Sequence, residues 1–220
     1  MSDVACIVPA YNAAGSISSV IGELRATLPS ARIIVVDDGS TDGTATAAAM
    51  ADGVVHHDVN RGKGAALRSG FDAALQGDSQ AIVTIDADGQ HAPAVLPLLL
   101  EQLASSDIVV GARQRDEGGM PLHRRFTNRA SAAAVKRITG IDIPDVQSGY
   151  RAMRRVVAET IRPSGNRYEF ETEFLILSAR AGYRISSVKV PTIYGQAGVA
   201  SHFRLLRDGA RVVSTIWLHR

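Results

Sequence analysis

The sequence predicts an α/β fold with a mostly parallel central sheet and helices on both faces. Short apolar runs alternate with segments of helical periodicity over residues 4–139, and this alternation is typical of parallel strands connected by helices. Alanine and glycine are frequent whereas only 5% of residues are aromatic, a composition that suits close packing of helices on a sheet. The 220 residues, 45% of them apolar, are enough for one domain with a full core.

Five strands are predicted in the first half of the chain, each a short apolar run bounded by polar or turn-forming residues. Their ranges are 4–8, 32–36, 53–57, 81–85 and 107–110. Apolar residues recur at helical spacing between and after these runs, which predicts helices over 16–27, 43–51, 63–75, 92–104 and 122–139. The two histidines that end the third run, His56 and His57, are expected at the surface.

The pattern changes after Gly140. Residues 145–152 are predicted to form a loop that leads into a short strand, followed by a helix over 169–181 and a strand over 185–191. Residues 203–218 carry apolar side chains on one stripe and arginines elsewhere, which predicts a C-terminal amphipathic helix. Such a helix packs either on the sheet or on a membrane surface, and the sequence favours neither.

The charge of the chain is small in total but uneven along its length. The net charge of +2 is too small to indicate a nucleic-acid-binding protein. Residues 121–137, however, hold five basic side chains and no acidic one, and residues 201–220 hold four arginines against Asp208 alone. Local basic segments of this kind suit anionic partners, either phosphate groups or an acidic membrane surface.

The cellular location is predicted from one cysteine and from the apolar runs. Cys6 lies inside the first run; it cannot form an intramolecular disulfide and is expected to be a buried core residue, which fits a reducing compartment. No signal peptide precedes Val4, and no apolar run approaches the ~20 residues of a transmembrane helix. We therefore expect a cytoplasmic protein, either soluble or peripheral at the cytoplasmic face of a membrane.

Residues 86–91 carry the most informative chemistry of the chain. They follow the apolar run 81–85 and bring together the side chains of Asp86, Asp88 and Gln90. Carboxylates so close in sequence repel each other unless a cation lies between them, and such oxygen ligands suit Mg²⁺ or Mn²⁺ shared with substrate phosphates. The segment therefore predicts a site for a metal-bound diphosphate, although the same residues are also good turn formers.

Other polar motifs follow neighbouring strands, where open parallel sheets bind their ligands. Residues 9–12 follow the first strand and residues 37–40 follow the second. An acid at a strand end often accepts hydrogen bonds from a base or a ribose. Lys63 lies between two glycines before a helix, which places a cation and a helix N-terminus near the diphosphate, although residues 60–62 would also serve as an ordinary turn.

The motifs at residues 8–12, 35–44, 60–64 and 86–91 resemble, in order and spacing, those of the family-2 glycosyltransferases, which have the GT-A nucleotide-sugar fold. The resemblance implies a pocket for the base and ribose lined by Pro9, Tyr11, Asp37 and Asp38. It also implies that Asp86 lies near the ribose and diphosphate and that Asp88 and Gln90 bind the metal. Many relatives have an acidic residue where this chain has Ala13, which leaves the choice between guanine and uracil open.

Later motifs resemble a subgroup of that family, dolichol-phosphate mannose synthase and the bacterial polyprenyl-phosphate glycosyltransferases. They lie at residues 110–113, 121–125, 145–152, 168–173 and 201–204. The resemblance then implies a single glycosyltransferase domain over residues 1–220, with a nucleotide-sugar-binding half (1–112) and an acceptor-binding half (113–220). It implies inverting transfer of a hexose from a GDP- or UDP-hexose to a polyprenyl or dolichyl phosphate.

A phosphate acceptor has chemical requirements of its own. With a second pKa of about 6 it is mostly dianionic at neutral pH, so it needs cations rather than a general base. Arg113, Arg124 and Arg204 are the candidates for this phosphate cradle, because guanidinium groups bind phosphate bidentately. Asp145 would be a general base for a hydroxyl acceptor, or would orient Arg151 or the donor sugar.

Contacts to the sugar are predicted less specifically. Gln147 and Ser148 are expected to face the donor sugar or the acceptor, and one of Glu169 and Glu171 either binds the sugar or stabilises the start of a helix. Two other functions stay open: a family-2 transferase with a soluble acceptor, and a non-catalytic nucleotide-sugar-binding subunit of a membrane enzyme. An oxidoreductase is disfavoured because no Gly-x-Gly-x-x-Gly follows the first strand.

Overall fold

The computed structural model describes residues 4–113 and 122–191, and of residues 122–127 the backbone only. Its strands are β1 Val4–Ala10, β2 Arg32–Asp37, β3 Gly53–His56, β4 Ala81–Thr84, β5 Ile108–Arg113, β6 Arg151–Arg154 and β7 Ile185–Val190. They form one sheet in the order β3-β2-β1-β4-β6-β5-β7. Every neighbouring pair is parallel except the two that involve β6, which is antiparallel to β4 and β5. The predicted mostly parallel sheet is confirmed.

Helices cover both faces of this sheet. They are α1 Ile17–Thr27, α2 Thr44–Ala47, α3 Lys63–Leu75, α4 Leu96–Gln102, α5 Leu122–Thr139, α6 Arg155–Thr160 and α7 Glu169–Arg180, with a short 3-10 turn at Pro93–Val95. Residues of β1 alternate between two core clusters, as the two-residue period of a strand requires. Cys6 and Val8 pack with α1 and α4, whereas Ala5 and Ile7 pack with α3, α5 and α7.

Some element bounds differ from those predicted. The second helix ends at Ala47 instead of residue 51, because the chain turns to begin β3 and the amide of Asp52 donates to Ile33 of β2. The helix α6 was not predicted; it follows β6 directly and buries only Val157 and Ala158, too few residues for a periodic signal. The predicted helix over 203–218 lies outside the described residues.

The topology places the polar motifs at one edge of the sheet. In the parallel register Ala10 lies beside Asp37, and Ile7 lies beside Thr84, so the segments after β1, β2 and β4 emerge together. Because β6 runs antiparallel, with Arg151 beside Thr84, the loop before β6 reaches the same edge. Among the helices that the structure describes, none combines the length and the apolar character needed to cross a membrane.

Candidate active site

The loops after β1 and β2 brace each other at this edge. The amide of Asn12 donates to the Ser40 hydroxyl at 2.9 Å, and the amide of Thr41 donates to Asn12 Oδ1 at 2.9 Å. Pro9, in β1, and Tyr11, just after it, are both half-buried beside these loops. The carboxylate of Asp37 accepts a hydrogen bond from the amide of Ser40 at 3.0 Å. The structure thus brings three of the four residues predicted for the base and ribose pocket to one place.

Asp38, the fourth, is directed into the protein. Its Oδ1 lies 2.7 Å from His57 Nδ1 and accepts the amide of Arg61, and its Oδ2 accepts the amide of Gly62. The expected surface position of His57 is wrong, because this imidazole is buried between Asp38 and Ser69. His56, by contrast, is exposed as predicted.

Lys63 lies between two carboxylates. Its Nζ is 2.6 Å from Asp86 Oδ1 and 2.8 Å from Glu171 Oε1. Burial alone would lower the pKa of Lys63, but the two carboxylates outweigh it and raise that pKa above its ordinary value. Burial likewise opposes ionisation of Asp86, yet Lys63 holds the pKa of Asp86 below its usual range. The other oxygen of Glu171 is buried and has no hydrogen-bond partner within the described residues.

The loop before β6 passes directly over this ion pair. A Cβ atom on Gly149 would lie 2.5 Å from Asp86 Oδ1 and 2.6 Å from Lys63 Nζ, so any larger residue would require these side chains or the loop to shift. The loop is fixed by hydrogen bonds at both sides of Gly149: Thr84 Oγ1 donates to its carbonyl, and Ser148 Oγ donates to the carbonyl of Gly111, each at 2.7 Å. Ser148 is therefore buried and holds the loop to β5, while Gln147 is half-buried beside it.

Asp88, Gln90 and His91 form the turn after β4. The amide of Gln90 donates to Asp88 Oδ1 at 3.0 Å. Burial, and after it the charge of Asp86, raises the pKa of Asp88. His91 packs against Tyr150 with ring centroids 5.0 Å apart. Burial lowers the pKa of His91 to about 4, and its Nδ1 has no hydrogen-bond partner in the part of the chain described.

This turn fits a hard divalent cation. A cation beside Asp88 would relieve the repulsion from Asp86, and Asp88 and Gln90 offer the oxygen donors that Mg²⁺ and Mn²⁺ prefer. Among the side chains of residues 4–113 and 128–191, no three His, Cys, Asp or Glu are grouped so as to hold a metal. A site of Mg²⁺ type uses one or two carboxylates with substrate phosphates and water in place of a full protein cage.

Arg113 and Asp145 form the second ion pair of the site. Arg113 Nε donates to Asp145 Oδ2 at 2.7 Å and Nη2 donates to Oδ1 at 3.1 Å, while Asn128 Nδ2 donates to Oδ1 at 3.1 Å. Burial alone would raise the pKa of Asp145, but the guanidinium of Arg113 holds it below its ordinary value. Asp145 therefore binds Arg113, not Arg151 as one alternative expected. Arg151 donates instead to the carbonyls of Val146 and Ser148.

Two predicted arginines lack described side chains. Arg124 lies in residues 122–127 of α5, of which only the backbone is described, and Arg204 lies outside the described residues. Asn128 was not predicted from the sequence. A signal for it exists, because it is a polar residue on the buried stripe of α5 with Ser131 and Val135, and a buried amide at such a position needs a polar partner.

Comparison with known proteins places the chain among sugar transferases. The model of the family described as Glycosyl transferase family 2 matches residues 5–162. The chain is 33% identical over 209 residues to undecaprenyl-phosphate mannosyltransferase of Micrococcus luteus, with 89% of this chain and 85% of that protein covered. It is 32% identical over 208 residues to polyprenol monophosphomannose synthase of Mycolicibacterium smegmatis, with 88% and 78% covered.

The fold has a matching solved structure. Glucosyl-3-phosphoglycerate synthase of M. tuberculosis superimposes with a TM-score of 0.78 at 24% identity, covering 98% of this chain and 80% of that one. That enzyme has also been solved in complex with Mn²⁺, uridine-diphosphate and phosphoglyceric acid. At this identity the likeness supports the GT-A fold alone.

Proposed function

Because the chain belongs to glycosyl transferase family 2, we propose that it transfers a hexose from a GDP- or UDP-hexose to a polyprenyl phosphate with inversion. The observation that carries the proposal is the similarity to two transferases whose names state a polyprenyl acceptor. The first match covers 89% of the chain, so it extends well beyond the half, residues 1–112, that would bind the donor. Residues 113–220 would then bind the acceptor.

The donor would bind at the edge formed by β1, β2 and β4. Pro9, Tyr11 and Asp37 would contact the base and ribose, and Asp86 would lie near the ribose and diphosphate. Asp88 and Gln90 would hold Mg²⁺ or Mn²⁺, which would stabilise the departing diphosphate as a Lewis acid. The buried, unpartnered oxygen of Glu171 would accept a hydrogen bond from a sugar hydroxyl, as would Gln147 at the loop above.

The acceptor phosphate would be held by arginines. Arg113 is fixed in orientation by the bidentate pair with Asp145, and its side chain is 20% exposed. Arg124 and Arg204 would complete the cradle. A phosphate oxygen attacks the anomeric carbon as the bond to the diphosphate breaks, and the diphosphate leaves with the electron pair. The low pKa of Asp145 suits a permanent partner of Arg113 better than a proton acceptor, and this step needs none.

A lipid acceptor would bring the protein to the cytoplasmic face of a membrane. Arg129, Lys136 and Arg137 are exposed on α5, and such residues would be attracted to an acidic membrane surface. A membrane-bound partner subunit would be another route to the lipid. Binding to vesicles with and without anionic lipid, at low and high salt, separates direct attraction from recruitment by a partner.

A transfer assay tests the proposal. Short polyprenyl phosphate is offered with Mg²⁺ or Mn²⁺ and a panel of UDP- and GDP-hexoses, and both the released nucleoside diphosphate and the lipid product are measured. We expect a lipid-linked sugar from one donor, lost on chelation of the metal and in Asp88→Ala. Nucleoside diphosphate released equally without lipid would favour a soluble acceptor, and binding of a nucleotide-sugar without turnover would favour a non-catalytic subunit.

A further inference from the structure

Three polar side chains form a chain of hydrogen bonds beneath the loop that precedes α3. We call Asp38, His57 and Ser69 the relay. His57 Nδ1 lies 2.7 Å from Asp38 Oδ1, and His57 Nε2 lies 2.9 Å from Ser69 Oγ. Asp38 follows β2, His57 follows β3, and Ser69 is in α3. The relay therefore connects two strand ends to the helix that begins at Lys63.

Asp38 extends the relay into the loop itself. Its Oδ1 accepts the amide of Arg61 at 2.9 Å, and its Oδ2 accepts the amide of Gly62 at 2.8 Å. Gly62 has φ +100, a conformation that favours glycine. No side chain of the loop caps α3, so Asp38, 24 positions earlier in the chain, supplies the carboxylate that fixes the entry of the helix.

The same loop is held on its other side by the segment before α7. A Cβ atom on Gly62 would collide with the carbonyl oxygen of Asn166, and the amide of Ala65 donates to that carbonyl at 3.2 Å. The backbone around Lys63 is thus clamped between Asp38 and Asn166. Its ammonium, at the head of α3, is directed to Asp86 and Glu171.

We propose that the relay is a positioning device for Lys63, and that Asp38 acts on the bound donor through Lys63 instead of touching the base. Asp38 is 3% exposed and already accepts hydrogen bonds from three groups. A base therefore finds almost none of the Asp38 surface open to contact. The inference rests on the proposed function, since it assigns Lys63 to the diphosphate end of the donor. A displacement of about 1 Å at such a group can lower the rate on the order of 100-fold.

Two substitutions of His57 separate the relay from simple packing. His57→Leu removes both hydrogen bonds, whereas His57→Asn can place an amide nitrogen near the position of Nδ1 and so keep the donor to Asp38. Ser106→Ala is the matched control, because the Ser106 hydroxyl donates to Ser186 at 2.8 Å at the far side of the sheet. Binding is measured calorimetrically with the pairs GMP and GDP, and UMP and UDP.

The monophosphate keeps the base and ribose but lacks the outer phosphate. We expect His57→Leu to lower the affinity for the nucleoside diphosphate of the preferred base roughly 10-fold and the affinity for the monophosphate less than about twofold. This difference is expected because the relay acts on the phosphate end of the ligand. His57→Asn should recover most of the loss, and Ser106→Ala should change neither. Equal weakening of both nucleotides in His57→Leu, or no weakening of either, would overturn the relay.

A second background tests whether the effect passes through Lys63. In Lys63→Met the further change His57→Leu should lower diphosphate affinity less than about twofold, because residues that act through one group are not additive. Additive losses would overturn the proposal. Hydrogen exchange at the amides of Arg61 and Gly62 should accelerate in His57→Leu and not in Ser106→Ala. A wild-type protein that binds neither nucleotide pair would overturn the proposed function itself, whereas binding with unchanged exchange would overturn the relay alone.

Discussion

The two ion pairs of the site differ in how their charges balance. Around Lys63 a single ammonium faces Asp86 and Glu171. Burial, and after it the nearby charge of Asp86, raises the pKa of Asp88. Around Asp145 one carboxylate faces the guanidinium of Arg113 and the neutral amide of Asn128. The first cluster has a surplus of negative charge and can accept a cation, whereas the second is neutral as it stands. The cluster around Lys63 is suited to bind a metal, and the cluster around Asp145 is suited to fix the orientation of Arg113.

The largest effect should follow from removing a carboxylate where negative charge is in surplus. Asp88→Ala should lower transfer roughly 1,000-fold, because loss of a metal ligand removes several kcal/mol of stabilisation from the departing diphosphate. Mn²⁺ affinity, measured by electron paramagnetic resonance, should fall with it. Asp142→Ala is the control, since that carboxylate is 72% exposed beside Lys136; a variant of Asp88 that still binds Mn²⁺ normally would disprove the assignment.

A substitution in the Arg113–Asp145 ion pair should affect the use of the acceptor alone. Asp145→Asn leaves Arg113 without its carboxylate, so we expect kcat/KM for the lipid phosphate to fall roughly 100-fold while the KM for the donor stays within about twofold. Steady-state kinetics with each substrate varied in turn measures the split. A matching rise in the donor KM would show that the two clusters are not independent.

A glycine substitution should disturb the Lys63 cluster without removing a charge. Gly149→Ala introduces a Cβ where Asp86 and Lys63 meet, so donor affinity should drop about 10-fold as their side chains move apart. Gly22→Ala serves as the control, because nothing lies within 4 Å of a Cβ there. In the middle of α1 it should stabilise the protein by about 0.5–1 kcal/mol and leave transfer unchanged. Unaltered donor binding in Gly149→Ala would mean that the loop moves and that the side chains of Asp86 and Lys63 keep their positions.

The smallest effect concerns stability in acid. Folding lowers the pKa of Asp145, so its stabilisation is fully present above the unfolded value of about 3.9 and is lost as pH falls through the folded value. The difference in Tm between wild type and Asp145→Asn should be constant from about pH 7 to 5 and should shrink below about pH 4. Thermal unfolding followed by circular dichroism measures it, and a constant difference down to about pH 2 would contradict the shift.

The strand ends and their motifs could be predicted because they depend on local pattern. Apolar runs gave the strands, and parallel pairing then placed residues 9–12, 37–40 and 86–91 at one edge. The family resemblance was confirmed by the match over residues 5–162. Features that depend on contacts distant in sequence were predicted wrongly or not at all. His57 is buried beside Ser69 of α3 instead of lying at the surface, and the ion pair of Lys63 with Glu171 of α7 was not predicted. Asn128 was missed for the same reason, since its partner Asp145 lies in another element.

The position of β6 has a consequence for how the chain reaches this structure. Strands β3, β2, β1 and β4 pair among themselves using residues 4–84, whereas β5 pairs, within the described part of the chain, with β6 and β7. Residues 108–113 can therefore join the sheet only when residues 151–154 have paired with β4. Such late, non-local closure slows folding and leaves edges exposed during synthesis. The loop with Gly149 reaches Asp86 only at that closure, so a chain that has not completed its sheet also has no finished site.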